Sequence, residues 1–268
     1  AITITFIFSL FIYMFIFMYG VQVMRGVIEE KTSRIIEVII SSVRPFQLMM
    51  GKILGIALVG LTQFIIWIVL TFSVVTLAQS LFFDLNYATT NMDAVQMTAE
   101  LTKELETEKH LSTKDFIAPD NIIFRINWPL MLGLFLFYFL FGYLLYAALF
   151  AAVGSAVDNE TDTQQFIIPI SLPLILAYVM SSVIIQNPEG PAAFWFSIIP
   201  FTSPVVMMVR VAMGIGSGAL WELWLSMFLL VVTFVFMTWL AGRIYKIGIL
   251  MYGKKASYRE LWKWLFYR

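Results

Sequence analysis

The chain has 268 residues, 60% of them hydrophobic and 13% charged, with a mean hydropathy of +0.87. A soluble domain runs nearer about 45–50% apolar and about 25% charged, so an ordinary soluble fold is excluded and an integral membrane protein is expected. Lys and Arg number 17, as do Asp and Glu, which leaves no basic field for nucleic acid; cysteine is absent, which removes disulfides and thiolate metal sites.

Ile2 to Met24 carries no charge and extends ~34 Å as a helix, enough to cross a hydrocarbon core of about 30 Å. It is too long for a signal-peptide core and has no basic flank before it, so it reads as the first span. Because Ala1 stands in place of an initiator methionine, the natural protein is expected to continue upstream.

Glu29 to Pro45 is a charged segment between two apolar ones, and residues 28–44 form the pattern of an amphipathic surface helix. Ile28, Ile35, Ile36, Ile39, Ile40 and Val43 share one side of a helical wheel, with Glu30, Lys31, Arg34, Glu37 and Ser41 opposite. Burying an aliphatic side chain contributes about 1.5–3 kcal/mol, whereas a helical ion pair such as Glu30 with Arg34 gives about 0.3–0.5 kcal/mol. The isoleucine face is therefore expected to dock this helix and the charged face to stay available. Pro45 ends it and suits the first turn of the next helix.

Phe46 to Gln79 supplies the second span, with Lys52 near its start and able to snorkel. Residues 81–128 form the only long polar stretch and are expected to make a small helical cap outside the membrane. It holds the only histidine, His110, whose neighbouring acids read as a solvated helix face. Pro129 to Val157 is the third span, carrying Gly133, Gly142, Ala147, Ala148, Ala151, Ala152 and Gly154 for close helix contacts.

A short loop, Asp158 to Gln165, leads to the fourth span, Phe166 to Gln186, where Pro169 and Pro173 favour a kinked or displaced first turn. Asn187 to Gly218 is apolar but interrupted by Pro188, Pro191, Pro200 and Pro204, then by Gly214, Gly216 and Gly218. No piece of it reaches the roughly 20 residues a crossing needs, so it is expected to enter and leave on one side, packed against the bundle. Ala219 to Ala241 is the fifth span, with Trp221, Trp224 and Trp239 as interfacial anchors, and 242–268 is a basic, aromatic tail.

Basic residues set the orientation. Arg25, Lys31, Arg34, Arg44, Lys52, Arg243, Lys246, Lys254, Lys255, Arg259, Lys263 and Arg268 fall on one side; Lys103, Lys109, Lys114, Arg125 and Arg210 fall on the other. The side of the amphipathic segment and the tail is therefore expected to be cytoplasmic, with the long loop and the interrupted hairpin facing outward.

No P-loop, HExxH, GxSxG or Cys/His metal spacing occurs in the chain, and no cofactor is expected to bind to it. Asp158, Glu160 and Asp162 could hold a cation but lack the Gly and distal Glu of an EF-hand loop; a solvated turn or a partner contact fits them better. The spans carry no central charge, only Lys52 and Glu222 near ends, and no internal repeat is visible. The usual marks of an ion-coupled transporter are thus missing, and the driving energy is expected to enter from outside the chain.

Two stretches resemble a known family. Glu29 to Gly55, EEKTSRIIEVIISSVRPFQLMMGKILG, resembles the cytoplasmic junction of type-2 ABC-transporter permeases, particularly the branch that includes sodium-extrusion permease subunits. Ser197 to Arg210, SIIPFTSPVVMMVR, followed by Trp221-Glu222, resembles that family's segment between its last two spans. The resemblance implies an all-helical permease of six spans per subunit, five of them present here, in a dimer within a bacterial inner membrane. It also implies a separate cytoplasmic ATPase that holds ATP and Mg and drives export. Glu29, Glu30, Lys31, Arg34 and Glu37 match the coupling-helix motif and would face that ATPase. Pro200, Thr202, Ser203, Pro204 and Arg210 match the outer re-entrant motif and would help close the exit. The substrate class stays open among sodium, drugs, peptides, lipids and other glycoconjugates. A membrane scaffold or sensor with a partner-binding external loop is the alternative, and a membrane-embedded enzyme is disfavoured by the missing acid, base and metal groups.

Overall fold

A computed structural model describes residues 2–33, 35–40, 42–90, 128–214, 220–251, 258–264 and 266. Their regular structure is all helical: α1 (Ile2–Thr32), α2 (Ile35–Ile40), α3 (Pro45–Thr90), α4 (Trp128–Ala156), a 3-10 turn (Glu160–Thr163), α5 (Gln164–Gln186), α6 (Pro191–Ile198), α7 (Ser203–Met213), α8 (Leu220–Gly248) and α9 (Tyr258–Trp264). Five of these, α1, α3, α4, α5 and α8, are long and apolar enough to cross a membrane. The chain forms two compact units, Ala1–Gly60 with Ile126–Arg268, and Leu61–Arg125. In the second unit the described part is the continuation of α3, where Ile65 to Leu70 are all exposed.

The first unit is organised around α4, the most buried of the five long helices. It packs most extensively on α1 and then on α8. Lipid tails are as apolar as leucine, so tight steric fit and internal hydrogen bonds hold such helices together. Tyr138, Tyr143 and Tyr146 of α4 are all fully buried. Their hydroxyls donate to the Ser226 Oγ (3.1 Å), the Ile53 carbonyl (2.8 Å) and the Phe201 carbonyl (2.8 Å) respectively, so one helix is bonded to α8, α3 and the α6–α7 turn. Small residues set the closest approach. A Cβ at Gly154 would lie 2.7 Å from the Met24 carbonyl oxygen, and one at Gly142 would lie 2.8 Å from both Ile16 Cδ1 and Pro204 Cγ. Gly133, by contrast, faces open space and makes no close helix contact.

Several expected boundaries move. α1 does not stop at Met24 but runs to Thr32, because no proline interrupts it; Ile28 to Lys31 are its last turn and not the start of a separate surface helix. It ends where the Thr32 hydroxyl turns back on the Ile28 and Glu29 carbonyls and the Ser33 hydroxyl on that of Glu30. The expected 28–44 helix is therefore a helix end, a break and the six-residue α2. Pro45 does open α3, with the Arg44 carbonyl receiving the Gln47 and Leu48 amides.

α3 passes ten residues into the expected external loop, since no glycine or proline follows Gly60 before Thr90. The rest of that loop, including His110, lies outside the described residues. α8 continues through Gly248, so Arg243 and Lys246 belong to a helix and not to the tail; the Arg243 guanidinium sits 4.1 Å over the Trp239 ring. Pro169 and Pro173 lie inside α5, which runs as one helix from Gln164 to Gln186.

Candidate functional site

Two clusters of charged and polar groups lie at opposite ends of α4. The first gathers where α1, α4 and α8 finish. Lys31, in the last turn of α1, is buried: its Nζ donates to the Ser155 carbonyl at 2.8 Å and pairs with Asp158 Oδ1 at 2.9 Å. Ser155 is next to last in α4, so its carbonyl has no partner further along that helix and sits at the negative end of the helix dipole. A lysine ammonium fits both acceptors. Beside it Lys52 Nζ of α3 pairs with Glu30 Oε1 at 2.7 Å. Lys52 thus reaches a partner on α1 and does not snorkel away.

These contacts revise the expectation that one charged face is left free. Lys31 is an internal link, and Glu30 is engaged with Lys52. Glu29 is exposed, as are Val38 of α2, at 73%, and Arg44. Arg34 and the Glu37 side chain lie outside the described residues. On the apolar side Ile28 and Ile36 are buried as expected, while Val43 is exposed. Two buried atoms in this cluster, Glu30 Oε2 and the Tyr245 hydroxyl, lack a hydrogen-bond partner among the described residues.

Asp158 belongs to this cluster, whereas Glu160 is exposed on the following 3-10 turn. Among the described residues no group of three His, Cys, Asp or Glu is placed to hold a metal. A nearby cleft of about 210 Å³ is bordered by Arg25 and Glu160 as well as Val21 and Met24. It is smaller than the roughly 300–1,000 Å³ usual for a small-molecule site, and its two charges are opposed.

The second cluster lies where α5 ends and α8 begins. Arg210 of α7 is buried, and its Nε donates to the Pro188 carbonyl at 2.9 Å. Its Nη1 donates to Ser197 Oγ at 2.8 Å and pairs with Glu222 Oε2 at 2.5 Å. Ser226 Oγ donates to the Ser197 carbonyl at 2.7 Å and accepts from Tyr138. One guanidinium therefore joins the α5–α6 turn, α6, α7 and α8, and a serine pair extends the chain of bonds to α4. The planar donors of arginine suit such a hub better than the single ammonium of lysine.

The other expected hairpin residues lie deeper. Thr202, Ser203 and Pro204 are buried at the α6–α7 turn and the start of α7, and Pro200 is half-buried. Thr202 Oγ1 donates to the Phe196 carbonyl at 2.6 Å, Ser203 Oγ approaches that of Pro200 at 3.4 Å, and Pro204 rests on Gly142. The bond from Tyr146 to Phe201 puts this turn beside a residue ~27 Å along α4 from Trp128, at 1.5 Å per residue. α6 and α7, eight and eleven residues long, are each too short to cross a membrane.

Fold and clusters define a polytopic helical membrane protein whose ionised side chains gather near helix ends. Over residues 2–243 the chain matches the family described as ABC-2 family transporter protein. It belongs to that family, and so to the membrane part of ABC transporters. It is 28% identical over 250 residues to the uncharacterized protein YhaP of Bacillus subtilis, covering 93% of this chain and 52% of that protein. It is 27% identical over 260 residues to the uncharacterized protein MJ1024 of Methanocaldococcus jannaschii, covering 97% and 53% respectively. The chain thus spans about half the length of the curated relatives it matches. No solved structure gives a significant match.

Proposed function

We propose that this chain is the permease part of an ATP-driven exporter, in which a separate cytoplasmic ATPase hydrolyses ATP with Mg and the membrane helices move substrate outward. The family match over residues 2–243 carries this reading. The charge distribution favours a plasma-membrane orientation with the Lys31 cluster at the cytoplasmic side and the Arg210 cluster outward. On that orientation the break at α2 is the place where an ATPase pushes. Glu29, Arg34 and Glu37 are its polar contact residues, and the exposed Val38 adds an apolar one. The α6–α7 pair is the outer re-entrant hairpin, and Arg210 keeps its two helices joined to α8 while the exit is shut.

ABC transporters work with two permease halves, so a second copy of this subunit is the simplest completion. The junction sequence resembles the sodium-extrusion branch, and the described spans hold no central charge to favour sodium over an apolar substrate.

Co-purification of the full-length protein with a candidate ABC ATPase of its source organism, reconstitution of both in lipid vesicles, and a screen of candidate substrates test the assignment. Retention of the ATPase and substrate-stimulated ATP hydrolysis are expected. A full-length protein that retains no ATPase and shows no nucleotide-dependent change would instead favour a scaffold or sensor.

A further inference from the structure

We propose that Lys31 is a positioning residue that fastens the end of α1 to the end of α4 and to the α4–α5 connection, so that a push on α2 moves α1, α4 and α5 together. The inference rests on the exporter reading above and assigns to Lys31 an internal role in place of a contact with the ATPase.

Three observations converge on it. Lys31 is the penultimate residue of α1, and α2 begins four residues later at Ile35, so this side chain stands at the α1 side of the connection to α2. Its ammonium is buried against two acceptors on other elements, the Ser155 carbonyl of α4 and Asp158 at the start of the connection. The acceptor end is itself confined. A Cβ at Gly248 of α8 would lie 2.8 Å from Ser155 Oγ, and one at Gly154 would strike the Met24 backbone of α1.

Stability alone is a poor reason for this lysine. A buried ion pair must offset the desolvation of both groups, and apolar replacements of equal volume are often as stable. What the pair supplies is a fixed geometry. α2 is flanked on its other side by Lys52, eight residues into α3, which is tied back to Glu30. α2 therefore runs between the end of α1, held to α4 and Asp158 by Lys31, and the start of α3, held to α1 by Lys52, and its movement has little slack to take up before the bundle follows.

The test uses the full-length protein with its ATPase in lipid vesicles. The chain has no cysteine, so Glu189→Cys, at the exposed α5–α6 turn, gives this chain a single reporter. Its rate of modification by a polar maleimide is measured with and without vanadate-trapped nucleotide. Lys31→Met and Asp158→Asn are introduced singly and together; the double variant leaves neither charge buried without its partner. The expected result is a nucleotide-dependent change in rate in the parent and loss of that change in the double variant, with ATPase retention, vanadate trapping and thermal stability preserved. If the single variants fail to fold, the double variant carries the test. A double variant that responds to nucleotide as the parent does overturns the proposal and leaves the exporter reading standing. A parent that binds no ATPase, or does not respond, overturns both.

Discussion

The two ends of α4 solve the burial of charge differently. At the end where α7 meets α8, Arg210 gathers four segments through one planar group, and Tyr138, Ser197, Ser226 and Glu222 complete the set. At the other end two lysines make separate pairwise links, Lys31 to α4 and its following turn, Lys52 to α1. Among the described residues the buried atoms without hydrogen-bond partners include Glu30 Oε2 and the Tyr245 hydroxyl at the lysine end and Thr238 Oγ1 within α8, and none belongs to the Arg210 cluster. A saturated network has one good arrangement. A set of pairwise links with spare polar atoms has room for a second, as the proposed force-receiving role of this end requires.

Four substitutions bear on that contrast, in order of expected effect. Glu222→Ala strands a buried guanidinium, and loss of one partner of a buried pair costs about 3–5 kcal/mol; unfolding of the purified protein in mild detergent should show the largest destabilisation here. Arg210→Lys keeps the charge but not the fork, losing charge-assisted bonds worth about 1.5–3 kcal/mol. An Arg210→Lys protein as stable as the parent would contradict the hub. Gly154→Val forces a side chain onto the Met24 backbone, and overpacking of this kind costs about 1–3 kcal/mol; a smaller loss in the same assay would mean that α1 and α4 can separate at little cost. Tyr245→Phe removes a buried hydroxyl without a partner, whose desolvation costs about 1–3 kcal/mol, and should therefore leave stability unchanged or raised. A loss of stability would show that the hydroxyl is bonded in the folded protein, and would erase the difference between the two ends.

What was legible in the sequence was what local composition controls. The five long helices follow from uncharged runs of bilayer length, and the short α6 and α7 from prolines and glycines spaced too closely for a crossing. Pro45 marks the start of α3 for the same local reason. Helix ends were less legible, because polarity is not a helix breaker: α3 continues through Asp84 and Asn86, and α8 through Arg243 and Lys246, where nothing interrupts the backbone ladder.

The least legible feature was pairing. A helical wheel places Lys31 on a polar face, yet its partners are on α4 and just beyond it, Ser155 being 124 residues away in sequence. Arg210 was visible as a candidate, but Ser197, Ser226 and Tyr138 carry no signal that sets them apart from ordinary span residues until three helices are brought together. Glu222 was the exception: a carboxylate in the first turn of an apolar helix, near one of the few basic residues on the same side, was a usable clue.

The two ends can be told apart most directly by crosslinking to the ATPase. A single cysteine is introduced either as Val38→Cys in α2 or as Trp221→Cys at the start of α8, both exposed positions in a chain that has no cysteine of its own. A short photoactivatable thiol reagent is attached, and the full-length protein is reconstituted with the proposed ATPase partner. Adducts with the ATPase from Val38→Cys and none from Trp221→Cys are expected. Adducts from Trp221→Cys, or none from Val38→Cys in a complex that still hydrolyses ATP, would contradict the assignment of α2 as the place where the motor acts.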